Sequence, residues 1–326
     1  MDFTEHVLKA RPNIKPNSAK AYATSLKLLA PENAQSLDFL LDSKEIIAKL
    51  DKYKHTTRRN YLNAVIIVLK GDSEHPEVQE ILEKYEDLRD QYNNEYADQQ
   101  QSHKKTDRQK EIWIDWDEFL GIVDKLEGEV ADYKPGTWTP QQKQTYQEYL
   151  LTLLYSHYPL RNDFITRVIS KTDYNRLASA DKEKENFLVK HNTNKYFFVM
   201  NQYKTSKKYG EKNIEVKPEL LKPLRKWLRH NTSDHLFVNS KGDPLNSNGI
   251  TKVLNRIGTR LRGKPFGSSI LRHSYLSHKY AQTQVDKQKD AELMGHSVQT
   301  QQEYVKVDEG SVGSAPSDGK PDVAEN

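Results

Sequence analysis

The stretch KYFFVMNQYKTSKKYGEKNIEVK, residues 195–217, sets the expected architecture. Residues 195–203 and 212–217 are rich in aromatic and β-branched side chains, which favour extended strands. Between them lies 204–211, a polar segment that contains glycine. The pattern predicts a β-hairpin, and the sequence on both sides of it is dominated by helical patterns.

Helical patterns surround this hairpin. Thr139, Pro140 and Gln142 fit a capping box with proline at the first helical position, which predicts a helix to about Tyr155. Another helix is predicted after Asn248, where apolar residues recur at helical spacing, and a further one over 269–281. The fold class predicted here is mainly α with a small antiparallel β-sheet.

The first part of the chain is predicted to be an all-helical domain. Apolar residues recur at helical spacing over 17–30, 56–69 and 78–92. The expected N-caps are Asn17 or Ser18 for the first of these helices and Thr56 or Thr57 for the second.

Composition along the chain predicts the domain boundaries. Residues 93–111 carry almost no apolar side chain, which is typical of a linker. We expect one domain over 1–95, a linker over 96–111 and a second domain over 112–307. The remaining 308–326 carry a net charge of −4 and are expected to form a disordered acidic tail, which leaves +8 for the rest.

The composition of the 326 residues excludes several classes of protein. The absence of cysteine excludes a disulfide framework, a thiolate metal site and a thiol nucleophile. No stretch approaches the roughly 18 consecutive apolar residues of a membrane helix, and the start of the sequence lacks an apolar leader. We therefore expect an intracellular protein, and its basic body is compatible with a polyanionic partner.

Five side chains that are far apart in sequence offer the groups needed for phosphoryl transfer without a metal. Arginines can clamp non-bridging phosphate oxygens, and a lysine can protonate a leaving oxygen. Histidine can hydrogen-bond the phosphate, and tyrosine can attack it to form a covalent bond. The five are Arg161, Lys204, Arg272, His296 and Tyr304.

Five segments, taken in order between residues 158 and 306, resemble the motifs of the tyrosine recombinase (phage-type integrase) family. They are YPLRNDF at 158–164, NQYKTSKKYG at 201–210, LFVNSKGDPLNSNGITKVL at 236–254, ILRHSY at 270–275 and LMGHSVQTQQEYVK at 293–306. The resemblance implies a helical core-binding domain followed by an α+β catalytic domain, which together clamp duplex DNA.

The resemblance also implies a reaction, namely site-specific DNA recombination or integration through a 3′-phosphotyrosine intermediate. Tyr304 would be the nucleophile, and Arg161 and Arg272 would hold the scissile phosphate. Lys204 would be the acid for the 5′ oxygen, and His296 would donate a hydrogen bond to the phosphate. The implied partners are double-stranded DNA and three further copies in a tetramer on it, with no metal, ATP or other cofactor. A virus or mobile element is the implied source.

The sequence departs from the family pattern at three places. Ser269 stands where the family usually has histidine; its hydroxyl can still donate a hydrogen bond, so it is kept as a candidate catalytic residue. Phe164 replaces the usual acidic residue, with Asp163 one position earlier. The spacing of eight from His296 to Tyr304 is about one shorter than usual.

Basic side chains on two predicted helices are candidates for DNA contact. One set recurs every four residues opposite an apolar stripe, a pattern that an ordinary solvated helix face shares. The candidates are Lys252, Arg256 and Arg260 on that helix, Lys54, Arg58 and Arg59 near the start of an N-terminal helix, and Lys207 in the hairpin turn.

Two alternatives remain open from the sequence. A type IB topoisomerase or a telomere resolvase would use the same side chains on a single duplex. A catalytically silent DNA-binding relative is the other alternative, and Ser269 together with the short spacing before Tyr304 favours it.

Overall fold

The computed structural model describes residues 1–71, 76–295 and 298. It divides into two compact units, Met1–Thr106 and a second unit that begins at Asp107. Among the residues described, none of the helices is both long enough and apolar enough to cross a membrane.

The first unit is helical. Its helices are α1 (Phe3–Ala10), α2 (Pro16–Leu29), α3 (Ser43–Leu50), α4 (His55–Lys70) and α5 (Pro76–Gln101), with a 3₁₀ turn at Asp38–Leu41. Its core includes the fully buried ring of Tyr85, whose hydroxyl donates to the carbonyl oxygen of Leu40 at 2.7 Å. That bond joins α5 to the 3₁₀ turn.

The predicted caps of α2 and α4 are wrong. Lys15 and Lys54 occupy the two N-cap positions, and neither makes a side-chain capping hydrogen bond. For α2 the cause is Pro16, because its restricted φ suits the first helical position and starts the helix ahead of Asn17. Helix α5 continues through Gln101, into the segment predicted as a linker.

The second unit consists of helices and a small sheet. The helices are α6 (Asp107–Ile112), α7 (Trp116–Val130), α8 (Pro140–His157), α9 (Lys171–Arg176), α10 (Ser179–Lys182), α11 (Ser206–Tyr209), α12 (Pro218–His230), α13 (Ser247–Arg262) and α14 (Ser268–Met294). The capping box of α8 is confirmed, because Thr139 and Gln142 exchange side-chain and backbone hydrogen bonds. The predicted mainly helical class is confirmed as well.

The sheet has the order β1 (Thr166–Ser170), β2 (Asn186–Asn192), β3 (Lys195–Met200) and β4 (Lys212–Glu215). The predicted hairpin is confirmed, because β3 and β4 pair antiparallel with Met200 opposite Lys212. The prediction of a wholly antiparallel sheet is wrong, since β1 pairs parallel with β2. The connection 171–185, which carries α9 and α10, is long enough for the crossover that parallel pairing requires.

Helix α13 packs closely on the turn that follows it. A Cβ added at Gly258 would lie 2.6 Å from the carbonyl oxygen of Lys264 and 2.7 Å from the ring of Phe266. Phe266 is fully buried and meets Phe119 of α7 edge to face at 5.8 Å. Glycine at this position thus lets α13 approach the segment that leads into α14.

Candidate active site

Arg161 lies on the loop that leaves α8, and the end of that helix anchors it. Tyr155 is fully buried in the last turns of α8, and burial raises the pKa of its phenol. Its hydroxyl lies 3.0 Å from the backbone carbonyl oxygen of Arg161 and 3.2 Å from Oδ1 of Asn162. The arginine side chain is exposed while its backbone is held by the core.

A second anchor ties the same loop to α13. The side-chain nitrogen of Asn162 donates to the carbonyl oxygen of Ser247 at 2.8 Å and to Oγ1 of Thr251 at 2.9 Å. It also lies 3.0 Å from Oγ of Ser247. The loop is therefore attached to two helices, α8 and α13.

Asn186, at the start of β2, joins the Arg161 loop to the hairpin. Its amide nitrogen donates to the carbonyl oxygens of Asp163 at 3.2 Å and Gln202 at 3.0 Å. Its amide oxygen accepts from the backbone N–H groups of Asn201 at 2.9 Å and Gln202 at 2.7 Å. All four hydrogen-bonding positions of this buried side chain are used, and they bring the segment before Lys204 beside the loop.

Arg161 and Arg272 meet at one cavity of about 400 Å³. Arg272 is partly buried in the second turn of α14, where burial lowers the pKa of its guanidinium and the positive charge of Arg161 lowers it further. The other residues lining the cavity include Asp163, Met200, Tyr203, Thr205, Lys212, His273 and Leu276. The structure therefore brings together the two predicted arginines, which lie on different elements.

Asp163 is a half-buried carboxyl among cations. Burial is the main cause that raises the pKa of Asp163 above its ordinary value. Three nearby cations pull that pKa back down, in the order Arg161, Arg272 and Lys212. With one carboxyl among three cations, the cavity has an excess of positive charge and suits a phosphate group.

Phe164, the residue that replaces the usual acid, is a core residue. Its ring is fully buried and meets Tyr155 edge to face at 5.1 Å and Phe198 at 5.5 Å. The acidic group at the cavity is the neighbouring Asp163.

Lys204 lies in a cleft beside the main cavity. This second cleft has a volume of about 370 Å³ and is lined by Arg161, Asp163, Asn186, Lys204 and Ser247, among others. Arg161 and Asp163 line both spaces, so they form the boundary between them. The lysine that lines the main cavity is Lys212.

The remaining predicted catalytic residues have different outcomes. Ser269 is exposed, in the first turn of α14, and lies outside the linings of both spaces. His296 and Tyr304 lie outside the described residues. Within the described ranges, no group of three or more histidine and carboxylate side chains is placed to hold a metal ion.

The predicted basic ridge on α13 is largely engaged in ion pairs. Arg256 contacts Oε1 of the buried Glu148 at 2.8 Å, and Arg260 contacts Oε2 of the same carboxylate at 3.0 Å. Arg260 also pairs with Glu129 at 2.8 Å. Contrary to expectation, these two arginines are not free cations, because they neutralise a buried carboxylate of α8; their contact with DNA stays a prediction. Lys252 is exposed.

The candidates for DNA contact in the first unit likewise divide into arginines that contact other groups of the protein and an exposed lysine. Nε of Arg58 donates to the carbonyl oxygen of Tyr53 at 2.6 Å, and Nη1 donates to the hydroxyl of Tyr92 at 3.1 Å. Arg59 lies over the ring of Tyr96 at 4.6 Å. Lys54 is exposed, as is Lys207 in α11 of the second unit. DNA contact by these four residues stays a prediction.

Comparison with known proteins gives one match to a protein family. Residues 188–310 match the model of the phage integrase family. The matched segment contains Lys204, Arg272, His296 and Tyr304, whereas Arg161 precedes it. No curated protein matches the chain.

Two solved structures are similar to this chain. One is the XerH site-specific recombinase bound to difH substrate in a pre-cleavage complex, with 15% identity and a TM-score of 0.41, covering 94% of this chain and 91% of that one. The other is XerH bound to a palindromic difH substrate in a post-cleavage complex, with 14% identity and a TM-score of 0.39, covering 94% of each chain.

The family match includes the hairpin, the second arginine motif and the final tyrosine motif, and the structure places both predicted arginines at one cavity. Residues 188–310 of this chain match the phage integrase family, the family of the tyrosine recombinases.

Proposed function

We propose that this protein is a site-specific DNA recombinase or integrase that cuts and rejoins strands through a 3′-phosphotyrosine intermediate. The observation that carries the proposal is the cavity lined by both Arg161 and Arg272, which has an excess of positive charge. The segment that matches the family also contains Tyr304, the proposed nucleophile.

In the proposed reaction the hydroxyl oxygen of Tyr304 attacks the phosphorus of a DNA phosphodiester. A bond forms between the tyrosine oxygen and phosphorus, the bond from phosphorus to the 5′ oxygen breaks, and the tyrosine proton is lost to a base. Lys204 gives a proton to the departing 5′ oxygen. A 5′ hydroxyl of a partner strand then reverses the steps, so the phosphodiester bond energy is conserved and the exchange needs no ATP.

Arg161 and Arg272 would hold the phosphate through this exchange. Guanidinium groups offer paired N–H donors to non-bridging oxygens, and such contacts strengthen as negative charge accumulates in the transition state. His296 and Ser269 would add hydrogen bonds to the same phosphate. The anchors on the Arg161 loop favour this role, because they hold its backbone before substrate arrives.

Binding of duplex DNA would involve both predicted domains, the core-binding domain over 1–95 and the catalytic domain over 112–307. The proposed contacts are Lys54, Arg58, Arg59, Lys207, Lys252, Arg256 and Arg260. We propose assembly as a tetramer on DNA, inside a cell where DNA is accessible, with a virus or mobile element as the source. The two XerH structures, which contain a recombinase bound to its DNA substrate, are compatible with a DNA partner.

Covalent capture tests the proposal. The full chain is incubated with a pool of nicked random-sequence duplexes and denatured in detergent, and the DNA still attached to protein is isolated and sequenced. We expect adducts with the wild type and none with Tyr304→Phe, which keeps the ring and removes the nucleophilic oxygen.

Three results would count against the proposal. Adducts that persist in Tyr304→Phe would exclude this nucleophile. Intact DNA binding without adducts in the wild type would favour the catalytically silent alternative. Relaxation of a supercoiled circle by the wild type, with no recombinant product from paired captured sites, would favour the topoisomerase alternative.

A further inference from the structure

Lys212 and Lys204, the lysine of the motif at 201–210, lie at different places in the hairpin. It begins β4 and is paired with Met200 of β3, and both residues line the cavity that contains Arg161 and Arg272. Lys204 instead lines the adjoining cleft. The hairpin thus presents one lysine to each side of the boundary formed by Arg161.

Two aromatic rings position the ammonium group of Lys212. Its Nζ lies 4.7 Å from the ring centre of Tyr203 and 5.4 Å from that of Tyr209. Tyr203 is itself held, because its hydroxyl donates to the carbonyl oxygen of Gly210 at 2.8 Å. A ring face attracts a cation without neutralising it, so the ammonium keeps its charge for an anion.

The charges around the cavity favour the binding of an anion. Lys212 and the two arginines all act on the carboxyl of Asp163. The carboxylate of Glu215 on the same strand pairs with Lys195, at 3.8 Å, and not with Lys212. Three cations therefore share one half-buried carboxyl, and a phosphodiester would supply the negative charge that is missing.

We propose that Lys212 is a further catalytic residue, which contacts a non-bridging oxygen of the phosphate held by Arg161 and Arg272. Lys204, in the adjoining cleft, keeps the separate task of protonating the 5′ oxygen. This inference rests on the proposed function. The ordinary alternative is that Lys212 only packs on Tyr203 at an exposed strand edge.

The first test compares matched lysine variants in the full chain, on a nicked duplex recovered by covalent capture. Lys212→Met removes the charge and keeps an unbranched stem. Lys208→Met is the control, because Lys208 lies in the same turn, 5.3 Å from the ring of Tyr209, and lines neither space. We expect adduct formation to slow on the order of 100-fold for Lys212→Met, with unchanged DNA affinity, and to remain at the wild-type rate for Lys208→Met.

Charge rescue and fold are checked together. Lys212→Arg should recover most of the rate, because the guanidinium restores the cation. Thermal unfolding should show the same midpoint for all variants, and Lys212→Gln repeats the charge removal if the methionine variant unfolds early. Wild-type rates in both Lys212→Met and Lys212→Gln would overturn the inference.

A substrate with sulfur in place of the bridging 5′ oxygen separates the two lysines. Sulfur departs as a thiolate without a proton, so this substrate should restore the rate of Lys204→Met and leave Lys212→Met slow. Rescue of Lys212→Met would overturn the proposed contact with a non-bridging oxygen. Absence of adducts in the wild type would overturn the proposed function itself, so the two failures are distinguishable.

Discussion

The hydroxyl of Tyr155 lies 3.0 Å from the backbone carbonyl oxygen of Arg161. This contact joins the end of α8, which belongs to the hydrophobic core, to the exposed arginine of the cavity. The same hydroxyl lies 3.2 Å from Asn162, the residue that ties the loop to α13. The position of Arg161 therefore depends on a tyrosine that faces away from solvent.

Replacing Tyr155 with phenylalanine should weaken both stability and catalysis. The change removes the hydroxyl that is shared between Arg161 and Asn162, which we expect to lower the free energy of unfolding by about 1–2 kcal/mol. It should also slow adduct formation by roughly 10-fold, because Arg161 loses part of its positioning. Urea unfolding and covalent capture measure the two effects.

Tyr146→Phe is the matched control for this prediction. Tyr146 is a buried tyrosine nearer the start of α8, and its hydroxyl donates to the carbonyl oxygen of Pro223 at 3.1 Å. It should lose comparable stability and keep the wild-type cleavage rate. Equal losses of cleavage in the two variants would contradict the positioning role of Tyr155.

Gly258 provides a test of packing in α13. An alanine methyl group would lie 2.6 Å from the carbonyl oxygen of Lys264, so either the turn or the helix must shift. We expect Gly258→Ala to lower the free energy of unfolding by about 1–3 kcal/mol. Gly121→Ala in α7, where the methyl group meets no atom within 4 Å, should instead add about 0.5–1 kcal/mol. Loss of stability in both would refute the explanation by close packing.

Glu148 tests the structural role of the α13 arginines. Its carboxylate is buried and pairs with Arg256 and Arg260, whose side chains are 47% and 39% exposed. Glu148→Gln removes the anion paired with Arg256 and one of the two anions paired with Arg260. We expect a loss of roughly 2 kcal/mol, less than for a fully buried pair because water reaches the two arginines. Urea unfolding measures it, and an unchanged midpoint would show that the pairs contribute nothing.

The raised pKa of Asp163 predicts that the stability of the protein depends on pH. Burial raises its folded-state pKa above the ordinary value of 3.8, so its ionisation costs the folded state more than the unfolded state. The stabilising contribution is full below pH 3.8 and is lost as pH rises through the folded-state pKa. Asp163→Asn should therefore become more stable than the wild type over that rise. If the wild type instead gains stability relative to Asp163→Asn as the pH rises, the predicted direction of the pH dependence is wrong.

Local signals explain why part of the fold could be predicted. Thr139 and Gln142 are three residues apart and form their capping box within one helical turn, so the sequence alone contains the whole motif. The β3–β4 hairpin is likewise local, because its turn lies between its strands. The parallel pairing of β1 with β2 depends on how α9 and α10 fold over the sheet, which no local pattern indicates.

In the candidate site, too, local motifs could be predicted from the sequence, and contacts between distant residues could not. Arg161 and Arg272 were predicted from motifs around each of them, and they do line one cavity. Asn186 was missed, because an asparagine at a strand start carries no signal until its partners in the Arg161 loop and the hairpin are known. The pairing of Arg256 with Glu148 was missed for a similar reason, since the two residues lie on different helices.

The central claim is that Arg161 and Arg272 act on one phosphate, and a double-mutant cycle tests it directly. Adduct formation is timed for Arg161→Ala, Arg272→Ala and the double variant on one captured duplex. We predict that each single variant slows on the order of 100-fold or more, and that the double is little slower than the worse single, because either loss breaks the shared clamp. A near-normal rate in either single variant, or effects that multiply fully in the double, would contradict the claim.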